Sequence, residues 1–213
     1  MNPFPVVLSA PSGGGKTTIA RELLRRRADV GYSVSCTTRQ PRPAEVDGRD
    51  YYFISPDEFR ARKAQGAFAE CAEVHGNLYG TLRSEIGRVL GEGRHVVMDI
   101  DVQGATQLRS AFPQAVTVFV LPPSGEVLLD RLRRRKTESA SELVARLQSA
   151  LRELQAVDAY EYVVVNDDLD ESVARVSAII DAEVVSRGRV EGLKEQVGSL
   201  IQRLEREIHH HSA

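Results

Sequence analysis

The segment VVLSAPSGGGKTT, residues 6–18, constrains the fold more than any other part of the chain. A short valine-rich run, typical of a buried strand, leads into three consecutive glycines and then into Lys16 and Thr17. Glycines permit backbone angles closed to other residues, so the N–H groups of such a loop can surround a phosphate at the N-terminus of the next helix. Lysine adds a cation for the outer phosphates, and the threonine hydroxyl adds a ligand for Mg²⁺. The segment therefore predicts a strand–loop–helix unit that binds a nucleoside triphosphate.

The first position of this loop departs from the usual phosphate-binding pattern. The pattern opens with glycine, and Ala10, the smallest possible replacement, stands there instead. A flexible turn with a chance lysine is the alternative, but the strand-like run before the loop and the helix-like run after it favour a phosphate-binding loop. The residues expected to bind ATP here are Ser12, Gly13, Gly14, Gly15, Lys16, Thr17 and Thr18.

Length and composition narrow the class of protein. A chain of 213 residues can bury the core of one domain, and its 28 basic and 30 acidic residues nearly cancel. Two cysteines are too few for a disulfide framework, and no run of 18 apolar residues occurs. We therefore expect a cytoplasmic protein that binds neither nucleic acid nor membrane.

Apolar runs alternate with amphipathic ones, which predicts an α/β fold with a mostly parallel central sheet. Core strands are predicted at residues 6–9, 95–100, 116–121 and 162–165. Helices are predicted at residues 16–27, 102–111, 124–135, 139–160 and 169–186.

Residues 32–91 differ from the rest of the chain in pattern, with short strand-like pieces in place of long valine-rich runs. This pattern predicts a smaller, mixed α+β insertion beside the sheet. Strand-like pieces at residues 51–54 and 68–74 surround one helix, whose start is marked by a Ser55 cap, Pro56 and Glu58. Two arginines three residues apart, Arg39 and Arg42, precede a tyrosine at position 51. Their planar guanidinium groups match the oxygens of a phosphate monoester, although a solvated basic loop is the simpler interpretation of either arginine alone.

The last segment, residues 187–213, carries apolar residues at steps of three or four. These are Val190, Leu193, Val197, Leu200, Leu204 and Ile208. The spacing predicts a helix with one apolar stripe, too short to form a stable isolated pair. Two interpretations stay open: the stripe packs back onto its own domain, or it joins subunits into a homo-oligomer.

Six blocks along the chain together resemble guanylate kinase. They read SAPSGGGKTT, SCTTRQPRPAEVDGRDYYF, GAFAECAEVHGNLYGT, VVMDIDVQGA, FVLPPS and VVVNDD, in this order. The resemblance covers residues 3–186, nearly the whole chain except the tail. It implies a P-loop three-layer core, a GMP-binding insertion and a short helical lid, and it implies transfer of the γ-phosphoryl group of ATP to GMP, and to dGMP, with Mg²⁺.

The resemblance also implies roles for individual residues on the acceptor side. Ser35, Arg39, Arg42, Tyr51 and Tyr79 match positions that hold the acceptor nucleotide. Glu70, Thr81 and Asp101 match positions that read the guanine ring. A carboxylate suits guanine because the N1–H and N2 amino groups lie on one edge, whereas adenine would leave that carboxylate unpaired. Taken singly, each of the three also has an ordinary structural interpretation, as a surface carboxylate, a strand hydroxyl or a helix cap.

On the donor side, the resemblance implies a lid at residues 131–146 whose arginines reach the phosphates. Lys16, Arg39, Arg135 and Arg146 are the expected catalytic residues, with Arg131 a weaker match. Arg134 and Lys136 stand where the family commonly has glycine, which predicts a stiffer lid. Thr17 and Asp99 are expected to hold Mg²⁺, partly through water.

Asn166 and Asp167 match the block near the donor adenine, and Asp168 is expected to cap the next helix. The implied division is a core at residues 3–31 and 92–186, an insertion at 32–91, the lid, and a helical extension at 187–213. Two other functions compete with a kinase: a catalytically inactive phosphopeptide-binding module of the same fold, and a P-loop GTPase. The GTPase would need a lysine in its guanine-reading motif, and VNDD, residues 165–168, has none.

Overall fold

The computed structural model describes residues 2–74, 76–133 and 140–212. It confirms the expected α/β architecture, with a parallel central sheet and a second, mixed sheet. In chain order the elements are β1 (Pro5–Ser9), α1 (Lys16–Arg26), β2 (Val30–Tyr32), β3 (Cys36–Thr37), β4 (Tyr52–Phe53), α2 (Pro56–Ala64), β5 (Phe68–Val74), β6 (Asn77–Leu82), α3 (Arg83–Gly91), β7 (His95–Asp99), α4 (Val102–Ala111), β8 (Val116–Leu121), α5 (Gly125–Arg133), α6 (Ala140–Gln155), β9 (Tyr162–Val165), α7 (Leu169–Val184) and α8 (Leu193–Ser212).

The central sheet has the strand order β2-β7-β1-β8-β9, and all its neighbouring strands are parallel. Leu8 on β1 pairs with Asp99 on β7 and with Val118 on β8. Parallel strands place their carboxyl ends at one edge of the sheet, where α/β proteins bind ligands. The loop after β1 therefore meets Asp99, at the end of β7, and Asp101, just after it, at the same edge.

Alternate residues of β1 face opposite layers of helices. Val6 and Leu8 lie in one fully buried cluster, and Val7 lies in another. The first cluster adds α1 and α7 through Ile19, Leu23, Val173, Val176 and Ile180. The second cluster adds α3 and α4 through Ile86, Val89, Ala105 and Leu108. The sheet is thus covered on both faces, which explains why its strands read as continuous valine-rich runs.

The second sheet has the order β4-β3-β6-β5, with β3 and β4 parallel and the other pairs antiparallel. As predicted, α2 begins after Ser55, whose hydroxyl accepts the Glu58 N–H at 3.1 Å. Phe59 of α2 stacks on Phe68 of β5, with ring centroids 4.4 Å apart. This apolar contact packs the helix against the sheet.

The predicted helix at residues 139–160 is too long, because α6 ends at Gln155. One 3-10 turn follows at Val157–Ala159, and Tyr160 is extended, with φ −101° and ψ 148°. The Tyr160 ring packs edge-on against Phe119, 5.1 Å away. This contact fixes Tyr160 in the extended conformation between the end of α6 and the start of β9. The short strand β2, the hairpin strand β6 and helix α3 were not predicted, because such short segments carry too little periodicity.

Helix α8 keeps the predicted apolar stripe exposed. Val197, Leu200, Leu204 and Ile208 are 43%, 58%, 63% and 65% exposed. The stripe therefore does not pack back onto the described part of its own chain. Within the described residues, no helix combines the length and the apolar character needed to span a bilayer.

Candidate active site

The glycines of the loop between β1 and α1 are required for different reasons. Gly13 and Gly15 have φ of +82° and +96°, which side-chain-bearing residues rarely adopt. Gly14 has no room for a side chain, because a Cβ there would lie 2.7 Å from the Ala10 Cβ and 2.9 Å from the Pro11 carbonyl oxygen. Ala10 is buried at 1% exposure. The alanine at the first position is thus accommodated by the missing Cβ of Gly14.

Asn166 lies beneath this loop and holds it. Its side-chain amide donates to the Gly14 carbonyl at 2.8 Å and accepts from the Ser172 hydroxyl at 3.2 Å. Asn166 is only 7% exposed, and a Cβ on Gly15 would lie 2.3 Å from its Nδ2. The structure therefore places Asn166 as a support of the loop. Contact of Asn166 and the exposed Asp167 with ATP stays a prediction, whereas the Asp168 cap on α7 is seen, with Glu171 N–H donating to its Oδ1 at 2.9 Å.

The two residues expected to hold Mg²⁺ are brought together. The Thr17 hydroxyl donates to Oδ2 of Asp99, at the end of β7. Hydroxyl and carboxylate oxygens are hard ligands, and Mg²⁺ usually takes one or two of them together with water and phosphate oxygens. The pair fits that donor set. The described residues hold no group of three or more histidine, cysteine or acidic side chains that could bind a metal alone.

Tyr32, which sequence reasoning missed, orients Asp99 from the other side. Its hydroxyl donates to Oδ1 of Asp99 at 2.9 Å. Burial, together with the Asp99 charge, raises the pKa of Tyr32 far above its usual value, so the phenol stays a donor. Tyr32 ends the short strand β2, and its position in the sequence carries no motif that would have revealed it.

Glu70 and Thr81 face each other across β5 and β6, at an irregularity in the strand pairing. Phe68 pairs with Leu82 and Glu70 pairs with Thr81, so one extra residue lies between the two pairs on β5. The Thr81 hydroxyl donates to Oε1 of Glu70 at 2.6 Å. The Ser35 hydroxyl lies 3.1 Å from the Thr81 hydroxyl oxygen. Three residues predicted to hold the acceptor thus form one hydrogen-bonded chain.

Glu70 is 5% exposed, and burial raises its pKa to about 7. The hydrogen bond from Thr81 opposes this shift and the nearby charge of Asp101 adds to it, so that about 7 is the net pKa. Near neutral pH this carboxyl is therefore part protonated. A ligand that presents two N–H donors would favour the ionised form.

Asp101 follows β7 and caps α4, since its Oδ1 accepts the Gly104 N–H at 2.7 Å. The cap interpretation is thus correct for this residue. Asp101 also borders the same cavity as Glu70. The Asp101 carboxylate therefore both caps α4 and lines the cavity.

Arg39 lies among aromatic rings and is neutralised by Glu45. Its Nη2 donates to Oε1 of Glu45 at 2.9 Å, and its Nε donates to the Tyr79 hydroxyl at 3.3 Å. The guanidinium carbon lies 5.5 Å from the centroid of the Tyr51 ring. Arg42 is exposed, and its backbone N–H donates to Oε2 of Glu45 at 2.8 Å. Glu45 was missed by sequence reasoning; it occupies Arg39 with an anion, as an acceptor phosphate would.

A cavity of about 680 Å³ lies between the phosphate-binding loop, the insertion and the end of β7. Predicted site residues that line it are Ser12, Lys16, Ser35, Tyr51, Glu70, Tyr79, Asp99, Asp101 and Arg146. Helix α6 forms one wall, where Arg146 is 6% exposed and donates to the Leu132 carbonyl at 2.8 Å. From the same helix, Oε2 of Glu153 accepts the Ser12 N–H at 2.9 Å. Arg135, Arg134 and Lys136 lie outside the described residues.

Arg131, the weaker match, lies directly against the phosphate-binding loop. The Nη2 of Arg131 donates to the Asn166 carbonyl at 3.3 Å. A Cβ on Gly13 would lie 3.3 Å from the Cβ of Arg131. Helix α5 thus brings one arginine to the donor side of the loop, while α6 brings Arg146 to the cavity.

Comparison with known proteins shows similarity to guanylate kinases in a family model, in curated sequences and in a solved structure. The family described as guanylate kinase matches residues 2–183. A guanylate kinase of Caldanaerobacter subterraneus is 46% identical over 178 residues, which are 84% of this chain and 86% of the relative. A guanylate kinase of Rhizobium meliloti is 46% identical over 197 residues, which are 92% and 90% of the two chains. A crystal structure of guanylate kinase from Anaplasma phagocytophilum superposes with a TM-score of 0.77 at 36% identity, covering 92% of this chain and 94% of the other.

Proposed function

Because the chain belongs to the guanylate kinase family, we propose that the cavity between the phosphate-binding loop and the second sheet transfers the γ-phosphoryl group of ATP to GMP, giving ADP and GDP. The observation that carries this proposal is that residues of the phosphate-binding loop and residues of the insertion line one cavity. Lys16 of the loop lines this cavity together with Glu70 and Tyr79 of the insertion, and the Tyr79 hydroxyl accepts a hydrogen bond from Arg39. The donor phosphates and the acceptor can therefore be held face to face.

On the donor side, the loop N–H groups and Lys16 hold the ATP phosphates, and the dipole of α1 favours their charge. The Thr17 hydroxyl and Asp99 are the residues that would hold Mg²⁺, partly through water. When bound, the ion neutralises charge on the β- and γ-phosphates. Tyr32 keeps Asp99 turned toward Thr17.

On the acceptor side, we assign the guanine ring to Glu70, Thr81 and Asp101, and the phosphate to Arg39, Arg42, Tyr51 and Tyr79. The Glu70 carboxylate accepts N1–H and the N2 amino group together, and adenine offers neither donor at these positions. The phosphate of GMP replaces Glu45 as the anion beside Arg39. dGMP presents the same groups, so it is an expected second acceptor.

In the transfer, an oxygen of the GMP phosphate forms a bond to the γ-phosphorus of ATP while the bond to the β–γ bridging oxygen breaks. No strong general base is needed, because the GMP phosphate is already ionised near neutral pH. Lys16, Arg39, Arg135 and Arg146 balance the charge that spreads over the moving group. Catalysis is thus mainly positioning and charge stabilisation.

We assign residues 131–146 to a lid and residues 32–91 to the GMP-binding insertion, with the core at 3–31 and 92–186. Closing both parts over the nucleotides excludes water and limits ATP hydrolysis. Because its substrates are small cytoplasmic metabolites, we place the protein in the cytoplasm.

The decisive experiment is a coupled assay of ADP formation with GMP, dGMP, AMP and UMP as acceptors. GMP and dGMP are expected to support turnover, and AMP and UMP are not. Absence of GMP-dependent turnover would contradict the enzyme, and equal use of AMP would contradict the roles of Glu70 and Asp101. An inactive phosphopeptide-binding module is disfavoured because Lys16, Thr17 and Asp99 are all present and the relatives are named guanylate kinases.

For the apolar stripe of α8, the partner that we propose is a second copy of the chain. Most of the stability of a helix in a protein comes from packing of its apolar face, so covering Leu200, Leu204 and Ile208 of α8 with a matching stripe stabilises it. Neighbouring charged residues of both signs keep the stripe narrow.

Removal of residues 187–213 is expected to lower the molar mass in light scattering to that of a monomer, with turnover retained. The double substitution Leu200→Glu and Leu204→Glu should do the same in the full chain, because it places charges in the stripe. Gln202→Glu, on the other side of the helix, is the control and should leave the mass unchanged. A full chain that is already monomeric at micromolar concentration would refute self-association.

A further inference from the structure

Gly104, in the first turn of α4, lies between the two carboxylates assigned to the guanine ring. Its N–H donates to Oδ1 of Asp101 at 2.7 Å. Gly104 is buried and is not among the described glycines with positive φ. Backbone conformation therefore does not require glycine here. Since glycine is also less favourable than alanine inside a helix, another reason must explain its presence.

The space that a side chain would fill at position 104 is occupied by Glu70. A Cβ on Gly104 would lie 2.7 Å from Oε2 of Glu70 and 3.2 Å from its Cδ. The first distance is shorter than real Cβ contacts allow, and the second is tighter than most of them. On its other side, the Glu70 carboxylate is held by the Thr81 hydroxyl at 2.6 Å. The carboxylate is thus confined between β6 and the backbone of α4.

We propose that Gly104 is a positioning residue for base selectivity, because its missing side chain leaves the place from which Glu70 reads the acceptor base. The proposal rests on the function assigned above to Glu70. Alanine at position 104 pushes the carboxylate away from α4. Because the atom that must yield is the end of a flexible side chain, the fold survives while the geometry of the carboxylate changes.

Displacement of Glu70 weakens a defined set of contacts. Guanine offers the N1–H and N2 donors to one carboxylate, whereas hypoxanthine, the base of IMP, lacks the N2 amino group. A displaced carboxylate loses much of the advantage that the amino group confers on GMP. Hydrogen bonds to a charged group correspond to about 10-fold to 100-fold in affinity, so the loss is measurable.

The test is the ratio of kcat/KM for GMP to that for IMP in Gly104→Ala. We expect this ratio to fall about tenfold or more, through a higher KM for GMP, with the KM for ATP unchanged. Gly87→Ala is the matched control. It is also a helical glycine, in α3, and a Cβ there has no neighbour within 4 Å. It should leave the ratio unchanged, and a folded Gly104→Ala with an unchanged ratio overturns the proposal.

A double-mutant cycle separates this proposal from the assigned function. Glu70→Gln alone should collapse the GMP-to-IMP ratio; if it does not, the base-reading role of Glu70 is wrong. In the Glu70→Gln background, Gly104→Ala should change the ratio little, and an undiminished effect there contradicts the proposal.

If Gly104→Ala does not fold, the double variant Gly104→Ala/Glu70→Ala decides the question by thermal unfolding. Removing the Glu70 side chain removes the clash, so recovery of folding supports the proposal. Failure of the double variant to fold overturns it.

Discussion

Replacing Lys16 by alanine is expected to lower kcat at least about 10³-fold while the Kd for GMP stays nearly unchanged. Lys16 is the first residue of α1 and lines the cavity beside Asp99. We propose that its ammonium group contacts the phosphates of the donor, so that it acts on charge that develops during transfer. The residues assigned to the acceptor lie in the insertion, apart from Asp101 after β7, so we expect GMP binding not to need Lys16.

The measurements are the coupled assay for kcat and titration calorimetry with GMP in the absence of ATP. Lys63→Ala removes an exposed lysine from α2 and is the control for loss of charge. It should retain wild-type turnover. Retention of more than one tenth of kcat in Lys16→Ala would show that the loop is not the donor site.

The second large effect is expected for Glu70→Gln, with kcat/KM for GMP about 10² to 10³ lower. Glutamine has the same shape, but it presents one acceptor and one donor to guanine. One hydrogen bond is therefore lost, and two donors are brought together in a site that is only 5% exposed at Glu70. Glu191→Gln removes an exposed carboxylate and is the control.

Glu70 also makes GMP binding dependent on pH. Burial raises its pKa to about 7, and if GMP binds the ionised form as we propose, a proton must leave before or during binding. As the pH falls below about 7, more of the carboxyl is protonated and the apparent Kd rises. We expect it to be about tenfold higher at pH 6 than at pH 8.

The same substitution provides the control for this pH dependence. The phosphate of GMP also titrates in this range, but it does so equally with wild-type protein and with Glu70→Gln. The difference between the two proteins therefore isolates Glu70. Calorimetry in buffers of different ionisation enthalpy should show more protons released on GMP binding to the wild type than to Glu70→Gln. Identical pH profiles would contradict an ionised Glu70 as the reader of guanine.

Regular elements of the core were predictable because their signals are local. The four predicted core strands are all present, and helix α4 has the predicted bounds, since burial on both faces leaves valine-rich runs and amphipathic helices keep one period. The order β2-β7-β1-β8-β9 was not predictable. Strand order depends on contacts between distant segments, which no local pattern contains.

The candidate site divides in the same way. Lys16 and Thr17 follow from a motif whose residues are consecutive and whose geometry is set by the three glycines directly before Lys16. Tyr32 and Glu45 emerged only with the fold, because Tyr32 lies outside the six recognised blocks and Glu45, although inside one of them, has no role that the residue pattern indicates. Tyr32 acts by reaching Asp99 from a neighbouring strand, and Glu45 acts by reaching Arg39 within a loop.

By itself, the sequence determined the chemistry expected of the donor, because a glycine-rich loop with lysine and threonine is typical of phosphate binding. The resemblance of six blocks of the chain to a family indicated the acceptor. Tertiary structure decided the surroundings of the carboxylate that we propose reads the acceptor. An extra residue in β5 pairs Glu70 with Thr81, and the bare backbone of Gly104 leaves room for the carboxylate. The physical reason is that hydrogen bonding along a loop is set by neighbouring residues. The fit of one side chain against a distant helix is set by strand register and packing, which exist only in the folded chain.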